Sequence, residues 1–352
     1  MPTKNLIDID GSLKSGSGTI VRYSLSLASI LKKEIRIRNI RVKTKRSGLR
    51  HQHLKTAQAC CELTGGSAEN LKLKATDIKY FPGEKIRGGK FSWDIGTAGS
   101  TTMMSLCLLP LGLFADKGSC YTISGGLFQD FAPNAFHVKY VLTNLLRRFS
   151  VWADIEIIKP GYVPTGGGIV EVKVKPITGK LKPLRLSEQG KITQIKGVAI
   201  SSHLKDRKVS HRMADACKDI LLRSGYKADI EVIEDTTADQ RGAALFIYAL
   251  TDKGCIIGSD MAGKLGRTSE YIGKYVAKSL LEDINSGATV DRFAADQLLL
   301  YAALADGESE YIIPRMSDHI DSNIWLVEKI LGAKASLEGN RLKVKGVGFQ
   351  GI

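Results

Sequence analysis

The segment SGSGTIVRYSLSLASILKKEIRIRNIRV, residues 15–42, shows the pattern on which the chain is built. Small residues open it, an aliphatic stretch with helical spacing follows, and an alternating run typical of a β-strand ends it. The same order returns in two later segments, GTAGSTTMMSLCLLPLGLFADKGSCYTISGG (96–126) and ATVDRFAADQLLLYAALADGESEYIIPR (288–315). A recurring order of elements predicts a repeated α/β unit.

A second helix and a second strand follow each of these segments. The helices are RHQHLKTAQACCELTGG (50–66), NAFHVKYVLTNLLRRFS (134–150) and DSNIWLVEKILGA (321–333). The strand-like runs are LKLK (71–74), ADIEIIK (153–159) and LKVKGVG (342–348). The sequence therefore predicts three copies of a helix–strand–helix–strand unit.

The third copy is displaced along the chain by an additional segment with its own helices and strands. This segment lies between LSEQGK (186–191) and LLEDINSG (280–287). It contains the helical runs 208–225 and 268–284 and the strand-like runs 228–234 and 243–250. We expect an α/β (α+β) fold with a large repeated domain, residues 1–185 and 284–352, and a smaller inserted α/β domain, residues 186–283.

The charge of the chain points to a polyanionic partner. Its 51 basic and 36 acidic residues give a formal net charge of +15, and 43% of its residues are hydrophobic. The hydrophobic content is enough for a folded core and argues against disorder. A field of this sign attracts polyanions such as nucleic acid, although surplus lysine also serves solubility or heat tolerance.

The cysteines and the termini indicate an intracellular, soluble protein. The six cysteines form no C-x-x-C pair, and several lie in apolar helical runs, so we expect reduced core residues. MPTKNLIDIDG has no apolar signal core, and SLCLLPLGLFA is too short to span a bilayer. We therefore expect a cytoplasmic location, or a nuclear one in a eukaryote, and no membrane partner.

Glycine-rich and basic stretches predict contacts with phosphate. Glycine clusters lie at DGSLKSGSG (10–18), ISGG (123–126) and PTGGGIVEV (164–172), and none matches the P-loop pattern. Glycines let backbone N–H groups approach phosphates, although each cluster taken singly is more often a turn. RNIRVKTKRSGLRHQHL (38–54) is rich in basic residues and runs into an apolar helix, which suits a surface that contacts an RNA backbone.

One histidine stands out in MSDHIDSNIWLVEKI, residues 316–330. His319 lies between two aspartates just ahead of an apolar-periodic run. Asp, Ser and Asn cap helices for purely structural reasons, so this stretch alone is more typical of a helix start than of a reactive group.

The succession of motifs resembles the RNA 3′-terminal phosphate cyclases over nearly the whole chain. The motifs are DIDGS, SGSGTIVR, GLRHQHL, GTAGS, SGG, GYVPTGGG, AADQL and His319-x-x-x-Asn323. The resemblance implies a large domain of repeated units related to the enolpyruvyl transferases, with a small inserted α/β domain. It also implies that ATP and a divalent metal, Mg or Mn, serve to convert an RNA 3′-phosphate to a 2′,3′-cyclic phosphate through a histidine–AMP intermediate.

The resemblance assigns roles to particular residues and leaves the metal ligands unassigned. His319 falls on the nucleophile, and a neutral imidazole at a helix amino end suits that role. The implied ATP-binding residues are Phe293, Ala294, Ala295, Asp296 and Gln297 on one wall of the pocket and Pro133 on the other. The implied RNA- and phosphate-binding residues are Arg22, Arg41, Gln52, His53 and Asn323. His137, His203 and His211 are interpreted as ordinary helix residues.

Departures from the family pattern keep a second interpretation open. SGSGT stands where the family has E-G-G-G-Q, so Ser15 replaces a glutamate; Thr44 replaces an arginine and Leu106 a glutamine. Leu127 and Phe128 stand where the family has polar residues. The alternative is a catalytically weak or inactive cyclase-like RNA-binding protein of ribosomal RNA processing, with a GTPase as protein partner. Those proteins lack the histidine and the ADQ turn, and this chain has both.

A third interpretation, an enolpyruvyl transferase, follows only from the shared repeat. A small substrate does not need the basic surplus of this chain, and the motifs follow the cyclases throughout.

Overall fold

Two consecutive units with the same order of elements form the first half of the chain. The computed structural model describes residues 6–130 and 132–351. The first unit consists of β1 Ile7–Asp10, α1 Gly18–Leu31, β2 Ile35–Arg38, α2 His51–Thr64, β3 Ser67–Glu69 and β4 Ile78–Phe81. The second consists of β5 Gly89–Asp94, α3 Thr101–Leu113, β6 Ser119–Gly125, α4 Ala135–His137, α5 Thr143–Leu146, β7 Ala153–Lys159 and β8 Gly168–Val174. A short π-helical segment, Val138–Leu142, joins α4 to α5, and a 3₁₀ turn, Arg147–Phe149, follows α5.

A third unit is split by a fourth sheet. It begins with β9 Arg185–Leu186 and resumes with α8 Ala294–Leu304, β14 Glu308–Ile312, α9 Asp318–Leu326, the short π-helical segment Val327–Leu331, β15 Lys334–Glu338 and β16 Arg341–Lys345. Between its halves lie β10 Ile192–Ser202, the 3₁₀ turn Lys205–Arg207, α6 Val209–Arg223, β11 Ala228–Asp235, β12 Gly242–Thr251, β13 Ile256–Ala262 and α7 Ser269–Asn285.

The three units share one sheet topology, and this confirms the predicted repeated α/β fold. The strand orders are β1-β2-β4-β3, β5-β6-β8-β7 and β9-β14-β16-β15. In each, the first two strands are parallel and the other neighbours are antiparallel. The unit is longer than predicted, because a strand precedes the first helix and a hairpin follows the second.

One strand prediction is wrong. LKLK (71–74) lies in the turn between β3 and β4, where it connects the two antiparallel strands instead of joining the sheet. Its alternating pattern does not mark a strand, because Lys72, Leu73 and Lys74 are all exposed and only Leu71 packs against the core, so the two leucines do not share a buried face.

The fourth sheet has its own hydrophobic cluster. Its order is β11-β10-β12-β13, and α6 and α7 pack against it and against each other. The residues of this cluster all lie between Ile195 and Ile284 in the sequence. The opposite face contributes Val198, Ile200 and Phe246 to the core of the repeated units. Insertion of this α/β segment into the third unit agrees with the predicted architecture, whereas the domain boundaries at 185/186 and 283/284 stay a prediction.

The first helix of each unit is almost wholly buried, and these helices form the centre of the molecule. α1, α3 and α8 are apolar around most of their circumference. Small residues on α1 allow close packing, and Ser26 Oγ donates to the Cys107 carbonyl on α3 at 2.7 Å. Tyr23 on α1 donates its hydroxyl to the Asp296 carbonyl on α8. The three helices are therefore joined by polar bonds as well as by apolar contact.

The cysteines are unpaired, as predicted, although Cys61 and Cys120 are only partly buried. All six cysteines are free, and four of them are buried. Among the described residues, no helix is both long and apolar enough to span a bilayer. His203, predicted to lie in a helix, instead lies in a bend after β10, where Nε2 is 2.7 Å from the Ala238 carbonyl.

A buried ion pair joins the second and third units. His137 Nε2 lies 3.0 Å from both carboxylate oxygens of Asp291. Asp291 also accepts from the backbone N–H groups of Phe293, Ala294 and Gly258 at 2.8–2.9 Å, so it caps the start of α8. Burial opposes protonation of His137, yet the charge and the hydrogen bond of Asp291, helped by the charges of Asp260 and Asp296, together outweigh burial and raise the pKa of the imidazole. His137 is thus a structural group.

Replacing Asp291 should destabilise the fold strongly. We expect Asp291→Ala to lower the free energy of unfolding by about 3–5 kcal/mol, because it leaves a buried imidazole and three backbone donors without their partner. Chemical denaturation measures this change. Asp206→Ala, at an exposed position, is the control and should change stability little. Equal effects of the two substitutions would contradict the structural role of the pair.

Candidate active site

Several helices begin around one open cavity of about 240 Å³. The lining residues come from the first turns of α1, α3, α8 and α9, from the loops before α8 and α9, and from the loop before α4: Thr19, Arg22, Met103, Pro133, Arg292, Phe293, Asp296, Gln297, Arg315, Ser317 and His319. Helix amino ends carry unpaired N–H groups and partial positive charge. A cavity at which such ends meet, and which also contains arginines, suits an anionic ligand.

His319 is held at the mouth of this cavity by a threonine. It is the second residue of α9, whose first turn is capped by the Ser317 side chain on Ile320 N. His319 Nδ1 lies 3.1 Å from Thr19 Oγ1 on α1. Arg22 Nη2 donates to the same hydroxyl at 3.1 Å. If Nδ1 carries the proton and donates to Thr19, the lone pair of Nε2 is available as a nucleophile.

The surroundings of His319 favour its neutral form. Although its side chain stays accessible from solvent, desolvation by the protein lowers the pKa of the imidazole, and the Arg22 charge lowers it further. Asp318 acts in the opposite direction and is outweighed. His319 is therefore largely uncharged at neutral pH, which is the form that can attack an electrophile.

Arg22 is a cation that has no ion pair within residues 6–130 and 132–351. It is half-buried, and its side chain donates to Thr19 Oγ1. Burial lowers the pKa of the guanidinium, although an arginine remains charged at neutral pH. A desolvated cation without a counter-ion is costly, so this position favours the binding of an anion.

His53 approaches Arg22 across a glycine. A Cβ atom at Gly18 would collide with His53 Nε2 and lie 3.1 Å from Arg22 Nη1, so any larger residue would displace the His53 ring from this position. His53 Nδ1 accepts from Arg50 N at 3.2 Å, which leaves the proton on Nε2. Burial, followed by the charges of Arg22, Arg41 and Arg50, lowers the pKa of His53 well below its usual value. His53 is thus a neutral donor beside Arg22.

The far walls of the cavity are apolar. Phe293 and Pro133 line it together with Met103. The Phe293 ring packs edge-on against His137 with centroids 5.6 Å apart, and Thr102 Oγ1 donates to the Pro133 carbonyl at 2.8 Å. Both groups are therefore fixed by neighbours. An aromatic ring opposite a proline suits a flat heterocycle.

Asp296 is the carboxylate among the lining residues. It is 7% exposed. Burial raises its pKa to about 7, while Gln297 and Arg22 act in the opposite direction. Its charge state therefore changes across the neutral range.

Other predicted site residues lie behind or beside the cavity. Ala294 and Ala295 are fully buried in the first turn of α8. Asn323 is buried and donates to the Asp296 carbonyl at 3.0 Å, so it joins α9 to α8. Arg41 donates to the Gly48 carbonyl, and Gln52 donates to Thr56 Oγ1. The structure thus brings Arg22, Pro133, Phe293, Asp296, Gln297 and His319 together, with His53 adjoining them.

Comparison with known proteins identifies the family. The family model for RNA 3′-terminal phosphate cyclase matches residues 13–337. The chain is 36% identical to the RNA 3′-terminal phosphate cyclase of Methanococcoides burtonii, over 95% of this chain and 97% of that protein. It is 33% identical to that of Staphylothermus marinus, over 98% and 99%, and 35% identical to that of Hyperthermus butylicus, over 98% and 99%. The chain belongs to the RNA 3′-terminal phosphate cyclase family. The resemblance seen in the sequence is thereby confirmed.

In this cyclase-family chain, Ser15 joins the first glycine cluster, residues 10–18, to helix α9, which carries His319. Ser15 N donates to Ser322 Oγ at 3.1 Å, and Ser322 Oγ donates to Ser15 Oγ at 2.8 Å. Lys14 forms an ion pair with Asp321 at 3.0 Å. Within the part of the chain that the structure describes, no group of three His, Cys, Asp or Glu side chains is placed to hold a metal. The described side chains therefore do not form a metal site made of protein ligands alone.

The other departures have separate structural consequences. Leu106 lines a small cleft between Arg22 and Gln297. Leu127 and Phe128 are buried, and Phe128 stacks on Tyr162 with centroids 5.4 Å apart. Thr44 donates its hydroxyl to the Arg41 carbonyl at 2.9 Å and so supports the basic loop. Most glycines of the second and third clusters pack against a neighbouring backbone, as Gly126 does on Ala98 and Gly168 on Gly161, and neither cluster lines the cavity.

Sequence reasoning missed several residues that line the cavity. Thr19, Met103, Arg292, Arg315 and Ser317 had no assigned role. Arg292 is paired with Asp283 at 2.6 Å, whereas Arg315 is exposed and has no ion pair among the described residues. Arg315 and Ser317 stand within four positions of His319, which was an available signal. Thr19 and Met103 gave none, since their position depends on how the units pack.

Loss of the Arg22 charge should raise the pKa of His319. We expect Arg22→Met to move the imidazole pKa upward, toward 6.5, because one of the two causes that lower it is removed. NMR titration of the imidazole measures the pKa directly. Arg223→Met, at an exposed position on α6, is the control and should leave the His319 pKa unchanged. An unshifted His319 in the Arg22 variant would show that the two side chains are not electrostatically coupled.

Proposed function

We propose that this chain is an ATP-dependent RNA 3′-terminal phosphate cyclase that works through a covalent histidine–AMP intermediate. The observation that carries the proposal is the pair of hydrogen bonds by which Thr19 Oγ1 joins His319 to Arg22, in a cavity formed by helix amino ends. It supplies a neutral imidazole, a fixed ring orientation and an unpaired cation in one place. Family membership agrees with this function.

The first step is nucleotidyl transfer to His319. We place the adenine between Phe293 and Pro133 and the phosphates toward Arg22 and the helix amino ends. Nε2 attacks the α-phosphorus, an N–P bond forms, and the bond from that phosphorus to the pyrophosphate oxygen breaks. Thr19 accepts the Nδ1 proton in a hydrogen bond and keeps the ring in place. Arg22 and Arg315 offset charge that develops on the leaving pyrophosphate.

The next two steps act on the RNA. An oxygen of the RNA 3′-phosphate attacks the AMP phosphorus, and the N–P bond to His319 breaks. The neighbouring 2′-hydroxyl then attacks the activated 3′-phosphate, loses its proton and expels AMP. Arg22 and His53 adjoin the position at which the 3′-phosphate would enter, and both are hydrogen-bond donors. A divalent metal would come with the triphosphate and neutralise part of its charge.

The alternative is an RNA-binding protein of ribosomal RNA processing with weak or absent catalysis. Ser15 and Leu106 support it, since neither supplies the polar group that the family pattern has at its position. A GTPase partner belongs to this alternative. The two functions differ in one observable, the covalent adduct with AMP.

All residues that line the cavity lie outside 186–283. We therefore infer that residues 1–185 and 284–352 form the catalytic domain and that residues 186–283 form an inserted domain. We also infer an intracellular location for the protein, in agreement with its free cysteines.

Replacing His319 should abolish the adduct. We expect the protein, given ATP labelled at the α-phosphate and Mg²⁺ or Mn²⁺, to retain label that acid releases and alkali does not, as a phosphoramidate requires. His319→Ala should retain none, and His211→Ala, at an exposed position on α6, should retain as much as the unaltered protein. Label that survives in the His319 variant would remove His319 from the reaction. RNA binding without any adduct would favour the alternative function.

Replacing Thr19 tests the orientation of the ring. We expect Thr19→Val to slow adduct formation about tenfold, because one hydrogen bond that positions His319 is lost. Thr19→Ser keeps the hydroxyl and should stay close to the original rate. ¹⁵N chemical shifts of His319 report the tautomer independently of activity. Equal rates for the Val and Ser variants would show that the hydroxyl does not position His319.

A further inference from the structure

We propose that a strip of exposed cations beside the cavity binds the single-stranded RNA that precedes the terminal phosphate. This basic ledge consists of Lys43, Lys45 and Arg46 in one loop and Lys72 and Lys74 in another. The inference deepens the proposed function, since the RNA end is assigned to the cavity by that proposal. It adds a second binding region, outside the cavity, and a direction for the strand.

The ledge is exposed and its charge is uncompensated. All five side chains are exposed to solvent. None of them forms an ion pair within residues 6–130 and 132–351, although neighbouring cations such as Arg36 and Lys79 do. Residues 39–61 and 70–76 contain no Asp or Glu. A patch of one sign without internal partners attracts a polyanion.

Backbone bonds hold the two loops together as one surface. Lys74 N donates to the Leu49 carbonyl at 2.8 Å, and Leu49 N donates to the Ala75 carbonyl at 3.0 Å. Gly48, at φ +71°, packs directly on the Lys74 backbone, where any side chain would collide. The backbones of both loops are therefore held at fixed relative positions, so binding does not have to order the loops themselves.

Direct contacts connect the ledge to the cavity. The Lys43 side chain passes beside Gly16, with Cδ 3.5 Å from the position of a Cβ there. Arg50, at the end of the same loop, bonds to His53, which in turn adjoins Gly18 and Arg22. A strand whose 3′-phosphate reaches Arg22 and His53 would leave past Lys43. Its earlier phosphates would then lie over Lys45, Arg46, Lys72 and Lys74.

Exposed apolar side chains between the cations favour RNA over an acidic protein segment. Val42 is 45% exposed and Leu73 is 42% exposed, one in each loop. Such residues offer contact to bases and riboses between phosphate contacts. The strand must be unpaired at its end, because a terminal nucleotide has to enter a cavity of about 240 Å³.

Charge reversal in either loop tests the ledge. We expect Lys45→Glu with Arg46→Glu, and separately Lys72→Glu with Lys74→Glu, to raise the KM for a 12-nucleotide RNA 3′-phosphate about tenfold or more. The kcat, the KM for a trinucleotide 3′-phosphate and the rate of self-adenylylation should not change, because these do not involve the ledge. The slope of log affinity against log salt should become shallower by about 1.4 for each double variant.

The matched control is Lys227→Glu with Lys278→Glu, which reverses two exposed charges in the segment of α6 and α7. It should leave the KM for both RNAs unchanged. The proposal would be overturned if the KM for the 12-nucleotide RNA rose equally in all three double variants, or if the KM for the trinucleotide rose as much as that for the longer RNA. Either result would show that the ledge acts only through the net charge of the protein. No rise in either ledge variant, or binding of polyglutamate in preference to RNA, would overturn the proposal.

Failure of the proposed cyclase function can be distinguished from failure of the ledge proposal. A protein that forms no adduct and no cyclic phosphate lacks the function, yet the affinity of a fluorescent 12-nucleotide RNA still tests the ledge. Weaker binding by the ledge variants and unchanged binding by the control variant would support the ledge in that case too. Equal binding by all of them would overturn it.

Discussion

The hydrogen bonds that meet at Thr19 Oγ1 are the constraint on which the site depends. They join His319 on α9 to Arg22 on α1, so they bring a side chain of the third unit to a side chain of the first. One backbone carbonyl beneath them reinforces this arrangement. The Asp296 carbonyl on α8 accepts from Tyr23 of α1 and from Asn323 of α9. The site is thus possible only when the units are packed together, because no single unit holds its parts.

Electrostatics follows from that packing. Burial lowers the pKa of both His319 and His53, and the nearby charge of Arg22 lowers the pKa of each further. Burial and one unpaired cation therefore both favour the neutral form of the two imidazoles, and the cation also offers charge to a ligand. The arrangement concentrates positive charge without adding protonated histidines. It differs from the pair of His137 and Asp291, where a carboxylate raises the pKa of the histidine and the result is structural.

The order of the helices and main strands was more predictable from the sequence than the short strands and the residues that line the cavity. The three long apolar helices were predictable because helical spacing and small-residue entry recur. The short strand β9, with two residues, and the hairpin partners β3 and β15 were not, since a strand of two to five residues has too little periodicity. The cavity residues fell into two groups. Those carried by the AADQ and His-x-x-x-Asn motifs were predicted by resemblance, whereas Thr19 and Met103 reach the cavity only through the packing of separate units.

Mapping of the modified residue tests the central claim most directly. After reaction with labelled ATP, cleavage at Arg315 and Lys329 should release one peptide, residues 316–329, that carries the mass of AMP on its single histidine. The account predicts AMP on His319 and on no other peptide. AMP on a lysine, or on a peptide that contains His53 or His137, would contradict it.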